Sequence, residues 1–193
     1  GPSWVRVTAL GSYREVGRAM HLVTTNESKV LVDCGAKPTS NRNEVQPFFE
    51  APEMLPLDNI DAVVITHAHV DHIGMLPVLF RFGYKGPVYC TQPTRDLMTL
   101  LQMDYIKVAQ AEGNEAPYSK SDIQECIKHV VDVNWGEKTD IAPDIKMTME
   151  NAGHILGSSS VYMQIGEGRD EHKLLFSGDI KYEKSWLFDA ATV

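Results

Sequence analysis

The chain has 193 residues, with 18 basic against 26 acidic side chains, a formal net charge of −8 and three cysteines. That length supports one domain with a real core, and the acidic balance excludes a generic basic nucleic-acid clamp without excluding an enzyme whose bound metal ions add charge outside the count. The widely spaced Cys34, Cys90 and Cys126 exclude a disulfide framework; with no stretch that reads as a signal peptide or a membrane span, the expected setting is the cytoplasm, with no membrane partner.

The opening Gly1-Pro2-Ser3 resembles a protease-cleavage scar and is set aside from the fold. Trp4 to Leu10 alternates and stops at Gly11. His21 to Thr25 is followed by a turn at Asn26-Glu27-Ser28, and Lys29 to Gly35 is an apolar run closing on an acid and a glycine. The three read as a β-meander. Lys37 to Pro56, rich in Pro and Asn, reads as loop with about one helical turn.

The middle of the chain alternates strand and helix. Ile60 to Thr66 is a β-branched run suited to a strand buried on both faces. Gly74 to Phe82 reads as a helix with Pro77 in its first turn, and Pro87 to Cys90 as a strand. Thr91 or Thr94 caps a longer helix to about Glu112, with Leu97, Leu100, Leu101 and Ile106 expected on its buried side. Ser121 with Gln124 suggests a capping box for a further helix carrying Ile123, Cys126, Ile127 and Val130. Strands return at Ile145–Met149, around Val161, Met163 and Ile165, and at His172–Ser177, with a turn at 166–170. The methionines in these strands are expected in the core.

The chemistry sits where strands end. Residues 66–74 read Thr-His-Ala-His-Val-Asp-His-Ile-Gly, placing three histidines and an aspartate within six positions directly after a buried strand. Imidazole and carboxylate are ligands for zinc and similar cations. His67 and His69, two apart, point the same way in an extended segment, while Asp71 and His72 follow as the chain turns. A solvated polar loop is the bland alternative, and this density of ligands argues against it. Gly153-His154-Ile155-Leu156-Gly157-Ser158 adds one histidine after the Ile145–Met149 strand, and Ser177-Gly178-Asp179 adds one aspartate after the Leu174–Phe176 strand. Each alone would be an ordinary turn. Together they complete a site: His67, His69 and His154 as a three-histidine zinc position, and Asp71, His72 and Asp179 as a second, with Asp179 bridging. Asp33, at another strand end, is either a turn acid or the acceptor that orients a ligand histidine. His21, His129 and His172 are expected at the surface or a sheet edge. Arg14 and Arg18 face either substrate phosphate or a structural acid such as Glu15.

The run His67-Ala68-His69-Val70-Asp71-His72 resembles the signature motif of the metallo-β-lactamase superfamily, with Asp33, His154 and Asp179 matching its other motifs in order. The segments Arg14-Glu15-Val16-Gly17-Arg18, Leu31-Val32-Asp33-Cys34-Gly35 and Ala152 to Ser158 are similar to the β-CASP nucleases. Within these, the likeness is to the archaeal relatives of the endonuclease subunit of the cleavage and polyadenylation specificity factor. It runs from Trp4 to the end of the chain.

The resemblance implies an αββα sandwich in the α/β class, of which residues 4–193 form the N-terminal portion. An inserted β-CASP domain and a C-terminal completion are expected beyond this sequence. A further ligand histidine and the histidine that protonates the leaving group would lie there, and no KH-type RNA-binding signature occurs here. The implied activity is zinc-dependent hydrolysis of RNA phosphodiesters in 3′-end processing, transcription termination or RNA decay. The complete site would hold two zinc ions, and Asp71 and Asp179 would be the catalytic carboxylates that orient the attacking water or take its proton. Single-stranded RNA is the expected partner, the full-length protein is expected to be a homodimer, and the isolated chain is expected to be inactive. The alternatives are a small-molecule hydrolase of thioesters or lactams on the same fold, and a scaffold paralogue without catalysis. The presence of all six ligand candidates argues against the scaffold.

Overall fold

The computed structural model describes residues 3–10, 20–35, 56–67, 73–151, 159–177 and 179–184, Asp179 by its backbone alone. The expected loop at 37–56 lies almost wholly outside the described residues, as do Arg14, Glu15 and Arg18.

Two sheets face each other. The first has six strands in the order β1 to β6: Val5–Ala9, His21–Thr25, Lys29–Val32, Ala62–Val64, Val88–Cys90 and Val130–Asp132. The meander β1-β2-β3 is antiparallel, as the sequence suggests, and β3 to β6 run parallel. The second sheet has five antiparallel strands, β7 (Thr139–Ala142), β8 (Ile145–Asn151), β9 (Ser159–Ile165), β10 (His172–Ser177) and β11 (Asp179–Lys184). Both sheets turn alternate side chains inward. Val23, Val30, Val32, Ala62 and Val64 of the first pack on Met147, Met149, Val161, Met163 and Phe176 of the second. The methionines are therefore core, as expected, and their unbranched chains suit an inter-sheet layer.

Three helices among the described residues pack on the outer face of the first sheet: α1 (Leu76–Arg81), α2 (Gln92–Ala111) and α3 (Lys120–Lys128). None packs on the outer face of the second sheet, where Tyr162 is 45% exposed. This gives an α/β sandwich of the expected class.

Several expectations need correction. The buried stripe of α2 is Thr94, Met98, Gln102, Tyr105 and Ile106, and Leu100 is 67% exposed. Ile106 is buried as expected and Leu101 packs partly against the core, but the helix turns Met98, Gln102 and Tyr105 inward in place of Leu100. The capping box of α3 is Ser119 with Asp122, two residues earlier than expected; each side chain bonds the other's backbone amide. The helix ends at Lys128, and Val130 opens the short edge strand β6. His172 is buried: its Nδ1 lies 2.8 Å from the Tyr182 hydroxyl and its Nε2 3.0 Å from the Ser3 carbonyl. Ser3 therefore contributes to packing between the sheet edges. His21 and His129 are half-buried, His129 beside Glu125 and the Phe80 ring.

Candidate metal centre

The parallel strands β3 and β4 end side by side, and a parallel sheet offers its ligand crevice at such carboxyl ends. The Asp33 amide donates to the Val64 carbonyl at 2.8 Å, fixing the end of β3 to that of β4. Asp33 then takes φ +62°, the single positive φ at a non-glycine among the described residues. That region costs on the order of 1–2 kcal/mol for an L-residue, and aspartate tolerates it better than most. The turn aims the Asp33 carboxylate at β4. Its Oδ1 accepts from the Thr66 amide at 2.8 Å and its Oδ2 from the Thr66 hydroxyl at 2.7 Å. The same hydroxyl oxygen lies 2.6 Å from His67 Nδ1. Asp33 and Thr66 are only 4% and 3% exposed, whereas His67 is half-buried at the rim. A buried carboxylate thus grips a buried hydroxyl, which touches the imidazole.

The described chain resumes at Ile73, where it is held as well. The Met75 amide donates to the Cys34 carbonyl at 2.9 Å, and Gln102 Nε2 of α2 reaches the Ile73 carbonyl at 3.4 Å. Burial, then the neighbouring Cys126 and Asp33, push the Cys34 thiol well above its ordinary range, so it stays a neutral packing group beneath the site.

The second sheet meets this edge. Asn151 and Ser159 pair across β8 and β9, and the Ser159 amide donates to the Thr66 carbonyl at 2.8 Å. His154 falls in the chain between those two residues. Asp179 begins β11 opposite Ser177, beside Phe176, which pairs with Val161 of β9. His69, Asp71, His72, His154 and the Asp179 side chain lie outside the described residues. Among the described residues no three potential ligands converge, and those brought together are Asp33 and His67.

Two participants were not anticipated from sequence. Thr66 joins Asp33 to His67; a hydroxyl residue directly before a candidate ligand histidine at a strand end was the available signal. Ser159 couples the two sheets through its backbone, which no side-chain pattern announces.

The described part of the arrangement fits zinc: an imidazole with one ring nitrogen held by a hydrogen-bonded carboxylate chain is the usual setting of a zinc-ligating histidine.

Residues 22–193 match the metallo-beta-lactamase superfamily domain. Transcription termination factor FttA of Methanosarcina mazei is 54% identical over 188 residues, covering 97% of this chain and 29% of that protein. Its namesake in Methanocaldococcus jannaschii is 50% identical over 191 residues, covering 99% and 30%. The chain thus spans about 30% of the length of the curated relatives it matches. Among solved structures, a B3 metallo-beta-lactamase with an active-site glutamic acid aligns at TM-score 0.54 and 21% identity, over 92% of this chain and 59% of that one. The metallo-beta-lactamase GOB-18 from Elizabethkingia meningoseptica aligns at TM-score 0.55 and 17% identity, over 91% and 60%. Fold and matched span agree, and the chain belongs to the metallo-beta-lactamase superfamily.

Proposed function

We propose that this chain is part of a zinc-dependent ribonuclease that hydrolyses single-stranded RNA and acts in transcription termination. The observation that carries the reading is the Asp33–Thr66–His67 chain at the edge where β4, β8 and β9 meet. The names of relatives at 50% and 54% identity support termination as the setting. Likeness to the solved lactamases, at 17% and 21% identity, speaks for the fold alone and lends no weight to thioester or lactam hydrolysis.

In this reading His67, His69 and His154 hold one zinc, and Asp71, His72 and Asp179 hold a second. Bound zinc would supply a water acidic enough to attack at neutral pH and positive charge for the phosphate oxygens. Asp71 and Asp179 orient that water or receive its proton. Asp33 and Thr66 hold the His67 ring, and the Ser159–Thr66 bond keeps the two sheets' contributions in register.

The test is cleavage of single-stranded RNA by the full-length protein. Asp71→Ala and His72→Ala, each checked for metal content and folding, are expected to abolish it. Undiminished cleavage by either would overturn the assignment.

A further inference from the structure

We propose that Thr66 is a positioning residue that selects the ring tautomer of His67, holding the proton on Nδ1 and leaving the metal-binding lone pair on Nε2. The inference rests on the reading of His67 as a zinc ligand and names a device within that site. It follows from counting hydrogens. The Asp33 carboxylate only accepts, and its two oxygens take the Thr66 amide and hydroxyl hydrogens at 2.8 and 2.7 Å. The hydroxyl has one hydrogen, and that hydrogen is directed at Asp33. In its 2.6 Å contact with His67 Nδ1, the Thr66 oxygen therefore accepts, so Nδ1 carries the proton. A neutral imidazole protonated at Nδ1 presents its lone pair at Nε2.

Three further observations fit a selecting role. Asp33 adopts a left-handed backbone, and that turn directs its carboxylate at Thr66. Thr66 and Asp33 are almost fully buried, so water does not compete for the hydroxyl hydrogen. The Thr66 backbone is held on both sides, its amide by Asp33 and its carbonyl by the Ser159 amide, so the hydroxyl is not left to a swinging loop. A threonine used only for packing would need none of this, and a valine would fill the same volume.

The test compares the wild-type protein with Thr66→Ser and Thr66→Val. Long-range proton–nitrogen NMR of the metal-free protein reads the His67 tautomer, and competition against a chromophoric chelator reads zinc affinity. Wild type and Thr66→Ser are expected to show the Nδ1-protonated ring and equal affinity. Thr66→Val is expected to lose that preference and to bind zinc 10- to 100-fold more weakly with an unchanged circular dichroism spectrum. An Nε2-protonated His67 in the wild type overturns the proposal without recourse to any variant, even if Thr66→Val fails to fold. A folded Thr66→Val with wild-type tautomer and affinity also overturns it and leaves the zinc site standing. A wild type with the Nδ1-protonated ring that binds no zinc removes the metal reading, and the positioning role with it.

Discussion

The Ser159 amide donates to the Thr66 carbonyl at 2.8 Å, a bond that joins the first residue of β9 in one sheet to the chain just past β4 in the other. The Ser159 hydroxyl, by contrast, is buried and has no hydrogen-bond partner among the described residues. Backbone and side chain at this position therefore separate cleanly. Ser159→Ala keeps the inter-sheet bond and removes an unsatisfied buried oxygen, so it is expected to be neutral or stabilising by up to about 1 kcal/mol. Urea unfolding measures this, and a loss of more than about 1 kcal/mol would show that the hydroxyl has a partner in solution.

Asp33→Asn replaces one acceptor oxygen of the Thr66 clamp with an NH₂ donor. The Asn oxygen can still accept from the Thr66 amide, but its NH₂ can only donate to the Thr66 hydroxyl, so the hydroxyl hydrogen is no longer held at position 33 and is free to turn toward His67. Zinc affinity is expected to fall by about 10- to 100-fold and stability by about 1–3 kcal/mol. Metal competition and thermal unfolding of the same samples separate the two effects; retention of both would remove Asp33 from the site.

Zinc stoichiometry distinguishes the two proposed positions. Three neutral histidines form a compact ligand set with one open place, whereas the second set needs two carboxylates and a histidine around one ion. The isolated 193-residue chain is expected to retain at most one zinc after extensive dialysis, lost on His67→Ala, and to show no RNA cleavage. Two tightly held ions in an active chain would contradict this.

Gly86 sits against the end of the Tyr84 ring. A Cβ there would stand 2.5 Å from the Tyr84 hydroxyl and 2.7 Å from Cζ, closer than real contacts allow. The ring cannot easily yield, because it is buried and its hydroxyl donates to the Pro87 carbonyl at 2.7 Å. Gly86→Ala is expected to destabilise the protein by about 1–3 kcal/mol, by chemical denaturation. The double variant Gly86→Ala with Tyr84→Phe should recover part of that loss.

All three cysteines are buried. Burial, with a smaller contribution from Asp132, pushes the Cys90 thiol up to about 12, and burial raises Cys126 and Cys34 as well. Native protein at pH 8 should therefore resist thiol reagents that label all three once it is unfolded. The sign of the pH effect follows. Above the unfolded thiol value of about 8.5 the unfolded chain releases protons that the native state retains. Stability is then fully present below that pH and declines as pH rises toward 12, by up to about 1.4 kcal/mol per unit for each thiol. Flat stability between pH 8 and 10.5 would contradict the burial.

The sequence alone determined the fold class and drew attention to the 66–74 segment as a candidate site. Period-two alternation marked the meander and the methionine strands, because a strand between two sheets must bury every second side chain. The density of histidines after one buried strand marked a candidate metal motif, because imidazole and carboxylate are zinc ligands. What sequence left open depended on where elements lie against one another. The buried face of α2 was set by what it covers, so Gln102 is inside and Leu100 outside. The three-residue strand β6 has too little pattern to be seen until β5 pairs with it. His172 is buried because Tyr182 and Ser3 reach it from other elements. The contact of the Asp33 carboxylate with Thr66 spans 32 intervening residues and depends on a parallel strand pairing. Local sequence records propensity and period, but only the packed sheets bring a carboxylate after β3 within 2.8 Å of a backbone amide after β4.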